Sequence, residues 1–140
     1  MNERTRRRPR DAYGGIVSRK TFEKLTKKAR KVATEAGEQR HRLIWSDAAP
    51  GVEMVESCGG AFLILRPQDG AMKRFLDSLI RNPLRSVRVT FSRKRRGYLV
   101  GIGAHIPYQE RSVHEAAEEA ALALLRNELN VDGVVEGFDD

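Results

Sequence analysis

The strongest constraint on the fold lies between residues 86 and 104. Val87, Val89 and Phe91 alternate with Arg88, Thr90 and Ser92. After Arg93-Lys94-Arg95-Arg96-Gly97 the alternation resumes with Tyr98, Val100, Ile102 and Ala104. Period-two alternation on both sides of a short glycine-containing turn predicts a β-hairpin with one apolar face. An isolated hairpin is marginal in water, so other strands must extend it and something must cover that face. Gly101 and Gly103 lie on the same side as Leu99, which predicts a close approach to that backbone.

The remaining chain supplies both. From Ser18, the residues Phe22, Leu25, Ala29, Val32, Ala33 and Ala36 recur at helical steps. Ser18 or Thr21 can cap this helix, and Gly37 is placed as its terminating glycine. His41-Arg42-Leu43-Ile44-Trp45 reads as a short strand, and Ala48-Ala49-Pro50-Gly51 as a turn. Residues 52–56 read as a further strand. Ala61-Phe62-Leu63-Ile64-Leu65 is a continuous apolar run after Gly59-Gly60, the mark of a central strand covered on both faces. Asp69 caps a second helix with Met72, Phe75, Leu76, Leu79 and Ile80 inward, ended by Asn82-Pro83. Ser112 and Glu115 have capping-box spacing and open a third helix to about Leu129, with Val113, Ala117, Ala120 and Leu124 inward.

The predicted order is α-β-(β)-β-α-β-β-α. It describes an α+β domain, three helices on a mainly antiparallel sheet of four to five strands. A length of 140 residues suits one domain. Residues 1–17 have no apolar period and five arginines in the first ten positions, so they are expected to be a flexible basic arm. Residues 18–130 form the domain, and 131–140 an acidic, frayed tail. The expected core includes Phe22, Leu25, Trp45, Phe62, Ile64, Phe75, Leu79, Val89, Phe91, Val100 and Leu124.

Composition narrows the function. No apolar run is long enough to span a bilayer, and the start, MNERTRRRPR, lacks the apolar stretch of a signal peptide. No membrane association is expected. Cys58 stands alone, which excludes an internal disulfide or a multi-cysteine zinc site and suits a reducing cytoplasmic setting. Basic residues outnumber acidic ones 26 to 19, for a net charge of +7. Residues 1–40 carry thirteen basic and five acidic side chains, residues 41–109 eleven and five, and residues 110–140 two and nine. A basic body with an acidic far end orients a protein on a polyanion. Arginine exceeds lysine nineteen to seven. Guanidinium forks hold phosphates bidentately, although a GC-rich coding sequence would produce the same bias.

Three basic groups stand out: Arg6, Arg7, Arg8 and Arg10 in the arm; Lys20, Lys24, Lys27, Lys28 and Lys31 along the first helix; and Arg93, Lys94, Arg95 and Arg96 at the hairpin tip. Adjacent like charges repel, so the tip implies an anionic partner unless it serves only to prevent edge-to-edge aggregation. Exposed aromatics near the tip are limited to Tyr98 and Tyr108, which favours backbone contact over base stacking. Signals for chemistry are weaker. Cys58 precedes Gly59-Gly60, and His41, His105 and His114 are candidate bases, but no local signature links them. His105 and His114 with Glu115 or Glu118 match no strong metal spacing. Gly101-Ile102-Gly103 lacks the third glycine of a dinucleotide fingerprint. No cofactor is implied, and nothing argues for an enzyme.

The segment 87–129 (strand, basic turn, strand, then an Ala-rich helix) resembles the second half of a double-stranded-RNA-binding domain. The resemblance covers about a third of the chain and is one of topology. It departs from that family at the start of the last helix, where Ser112-Val113-His114-Glu115 stands in place of a phosphate-gripping lysine cluster. The expected function is a non-enzymatic nucleic-acid-binding accessory protein, for RNA or DNA, that holds the phosphate backbone. The alternatives are an adaptor or inhibitor module that binds an acidic protein surface, and a small hydrolase or transferase built on Cys58 or His105.

Overall fold

The computed structural model describes residues 8–46, 48, 50–51 and 57–140. Its elements are α1 (Arg19–Ser46), β1 (Gly59–Pro67), α2 (Gly70–Arg81), β2 (Arg88–Ser92), β3 (Gly97–Gly101), α3 (Arg111–Glu128) and β4 (Val131–Asp139). The four strands form one antiparallel sheet in the order β2-β3-β1-β4. The expected α+β class stands. Two elements within it differ in position.

The hairpin forms as the alternation requires, with Val89 opposite Val100 and Phe91 opposite Tyr98. Leu63 and Leu65 of β1 point to the same side as Tyr98 and Val100. There they meet Met72, Phe75, Leu76 and Leu79 of α2 and Ala121, Leu122 and Leu125 of α3 in one core. Asp69 caps α2 by accepting from the Met72 amide at 2.8 Å. Outside α2 and α3 lies α1, whose Phe22 meets Phe75 edge-on at 5.5 Å.

The first correction concerns α1. Residues 41–45, expected as a strand, are its last turns, and Gly37 lies inside it. A Cβ at Gly37 would sit 3.2 Å from Ile106 and 3.6 Å from Ala117. The glycine is a packing notch that lets α1 approach α3, and the face continues through His41, Ile44 and Trp45. Tertiary contact overrides the strand preference of Ile44 and Trp45. The second correction is the C-terminus. Residues 131–139 are a strand paired with β1 along its full length, from Pro67↔Val131 to Gly59↔Asp139.

Smaller corrections follow. The second half of the expected arm is packed: Asp11 bridges Leu129, Ala12 N–H donates to Glu128, and Val17 is buried. The Ser112–Glu115 capping box does not form. Glu110 is the N-cap of α3 without a side-chain cap bond, and Ser112 accepts from Arg40 instead. Phe91 is 51% exposed and Ile80 36%, both on the rim, while Trp45, Phe62 and Leu124 are half-buried. The expected strand over 52–56 lies outside the described residues.

Candidate nucleic-acid interface

Helix α1 turns its apolar stripe to the core, so Lys20, Lys24, Lys27, Lys28 and Lys31 face outward, all exposed. The row extends about 17 Å at 1.5 Å per residue. None of these five ammonium groups has an ion-pair partner among the described residues. Arg30, within the same run, turns inward. Its Nε donates to the Ile102 carbonyl at 2.7 Å and its second amino group to Ser86 at 3.2 Å. Arg30 is therefore the group that approaches the glycine-flanked backbone at Ile102, and the neighbouring Gly103 takes a left-handed φ of +73° that favours glycine.

The hairpin tip divides differently. The Arg66 guanidinium crosses from β1 and donates to the Arg95 and Arg96 carbonyls at 2.9 and 3.2 Å. Arg96 adopts φ 53°, and the Ser92 hydroxyl accepts from the Arg95 amide. Arg95 folds back over the helix-free face of the sheet. Its Nε lies 3.0 Å from Glu136, and its guanidinium stacks 4.8 Å above the Phe62 ring centre. Thus one of the four tip cations is a structural residue with its own anion, while Arg93, Lys94 and Arg96 point to solvent. Of the arm, Arg6 and Arg7 lie outside the described residues. Arg8 is exposed, and Arg10 donates to the Gly14 carbonyl at 3.1 Å. Arm and tip share the end of the sheet where β1 finishes and β4 begins.

The acidic segment is not a detached far end. Asp132 holds Arg126, Glu136 holds Arg95, and Asp139 joins Glu115 on Arg111. Charge polarity survives across the sheet, with Arg88 and the tip on the β2 edge and these carboxylates on the β4 edge. Where a double-stranded-RNA-binding domain would grip phosphate, at the start of the last helix, the single cation Arg111 is engaged by its own neighbours.

A second group of polar residues, not linked in the sequence reading, meets where α1 ends and α3 begins. Glu110 is 5% exposed and accepts from the Trp45 indole N–H at 2.7 Å, with His41 Nδ1 at 3.5 Å. The indole, the backbone N–H groups and His41 hold its carboxyl below the usual range against the opposing cost of burial. His41 stacks on Tyr108 at 3.6 Å, and His114 Nε2 meets the Tyr108 carbonyl. Cys58 pairs its backbone with Glu110, and its thiol lies 3.6 Å from Gln109. His105 is exposed and does not join His114. Among the described residues no group of three or more His, Cys, Asp or Glu side chains is placed to hold a metal ion. The cluster fixes an aromatic corner where α1 meets the start of α3.

One feature had no sequence signal at all. Beyond the pair Ile64↔Leu99, β1 and β3 separate, β1 staying with β4 and β3 with β2. A cleft of about 320 Å³ opens between them, and Glu118 of α3 lines its depth. Glu118 Oε2 is buried without a hydrogen-bond partner in the structure, and burial alone pushes its carboxyl up to about 7. No family model, curated protein or solved structure matches the chain, so its function has to be argued from this geometry.

Proposed function

We propose that the protein is a nucleic-acid-binding accessory protein that engages the phosphate backbone through α1 and the exposed part of the hairpin tip. The observation that carries this is the row of five exposed lysines on α1. Among the described residues it stands free of ion pairs, while Glu110, Glu115, Asp132, Glu136 and Asp139 are committed to partners of their own. Ammonium groups on one helical face act as point charges against a polyanion and read no sequence.

The test is fluorescence anisotropy with labelled duplex DNA, duplex RNA and single strands over a salt series. Each phosphate contact contributes about 0.9 to the slope of log K against log salt on a duplex. Replacing Lys24, Lys27, Lys28 and Lys31 with Ser should lower that slope by up to about 3.6 and weaken binding at least tenfold at low salt. The triple change Arg93→Ser, Lys94→Ser, Arg96→Ser should lower the slope by up to about 2.7 and leave folding as it is, since an exposed turn adds little to the core. Salt-insensitive binding to an acidic protein, with no binding to nucleic acid, would replace this reading with an adaptor.

A further inference from the structure

The helix-free face of the sheet carries an aromatic pair and a slot beside it. Phe62 and Phe138 stack with ring centres 4.8 Å apart, and Phe138 is 38% exposed. Next to Phe62 the separating strands leave the cleft. Its walls are Leu63, Leu99 and Val100, its outer rim Arg88 and Thr90, both exposed, and its depth Glu118. These three zones ask different things of an occupant. The walls ask for a flat apolar body. The buried, unpartnered Glu118 oxygen asks for an N–H donor, because a buried acceptor left unmade costs stability. Arg88, which has no ion pair among the described residues, asks for an anion.

A nucleotide meets all three requirements. We infer that the cleft between β1 and β3 is a base pocket, holding one splayed base of a single strand between Leu99, Val100 and the edge of Phe62, whose two faces are taken by Phe138 and Arg95, with its amino edge toward Glu118 and its phosphate at Arg88. This rests on the nucleic-acid reading and names the form recognised. Single strands offer unstacked bases to aromatic side chains and polar groups, whereas a duplex hides them. The surrounding charge agrees: the acids of this face, Asp132 and Glu136, are held by Arg126 and Arg95, and Arg93, Lys94 and Arg96 stand free at its end. The carboxylate also sets a preference. Adenine and cytosine offer an exocyclic amino group to Glu118, whereas uracil offers only its N3–H, flanked on both sides by carbonyl oxygens that repel a carboxylate.

Anisotropy with labelled eight-nucleotide strands of A, C and U tests this, with the free mononucleotides as competitors. The protein should bind the A and C strands about tenfold tighter than the U strand. Glu118→Leu, which removes the buried, unpartnered oxygen, should fold and should erase that preference. Arg88→Ser, on the exposed rim, should weaken all strands and lower the salt slope by about 0.7. If Glu118→Leu retains the parent's preference, or the parent shows none while still binding every strand, the pocket is overturned and the backbone reading stands. If a labelled mononucleotide binds directly but no strand does, the placement of a strand is overturned. If neither strands nor duplexes bind, both proposals fall together.

Discussion

Glu110 and Glu118 sit eight residues apart at the start and in the middle of the same helix, and the protein treats them in opposite ways. Glu110 is buried against the end of α1, where the Trp45 indole, His41 and backbone N–H groups surround it and hold its carboxyl below the usual carboxylate range. Glu118 faces a gap between two strands, its buried Oε2 meets no donor among the described residues, and burial raises its carboxyl to about 7. Burial raises both. Partners reverse the outcome at one site only, so what a buried carboxylate does depends on the donors within reach.

The largest expected effect breaks the contrast at Glu118. Its folded value is raised from 4.5 to about 7, so its contribution to stability is present in full below pH 4.5 and is lost as pH rises to 7 and beyond. A displacement of that size corresponds to up to about 3 kcal/mol. Glu118→Gln should therefore be more stable than the parent at pH 8 by up to that amount and nearly equal to it at pH 4.5, measured by urea unfolding. Equal stability at pH 8 would mean that the carboxylate finds a donor in solution. Next, Glu110→Ala should cost about 2 kcal/mol at pH 7, because it leaves the part-buried indole N–H of Trp45 without its acceptor. The sign of the pH effect is the reverse of that at Glu118: the contribution of Glu110 is present above its unfolded value and disappears as pH falls through the lowered folded one. Acid titration of thermal stability in the parent and in Glu110→Gln checks this, since the variant should lose part of the acid-side slope. The smallest effect is Trp45→Phe, which keeps the ring and removes one donor from Glu110. About 1 kcal/mol is expected, with the Glu110 titration moving upward by carboxyl NMR. A loss as large as that of Glu110→Ala would show that the indole is the carboxylate's main support.

Much of the fold was legible because its signals are local. The hairpin follows from alternation around a glycine-containing turn, α2 from an N-cap aspartate and an apolar stripe, and the lysine row from the same period that buries Phe22, Leu25, Ala29 and Ala33. Gly37 misled for a physical reason: a glycine serves equally as a helix terminator and as a notch between helices, and only Ile106 and Ala117 at its side distinguish the two. The segment 131–139 misled because Asp and Gly disfavour strands. Its glycines are nonetheless required: a Cβ at Gly133 would come 2.4 Å from the Ile64 carbonyl oxygen and 2.8 Å from Leu122. The candidate interface was legible as a set of cations, and the structure then removed Arg95 from the free set.

The sequence by itself determined the α+β class, the hairpin and its cationic turn, the second and third helices, and which face of α1 carries charge. These depend on neighbours within a few residues along the chain, where backbone geometry dictates the period. The tertiary structure alone decided that α1 continues to Ser46, that the acidic C-terminus becomes a sheet edge, that Arg95 is paired while the lysines of α1 are not, and that Glu118 lines a gap between separating strands. Each of these depends on residues distant in sequence, and hydrogen-bond partners, packing distance and desolvation exist only once those residues are brought together.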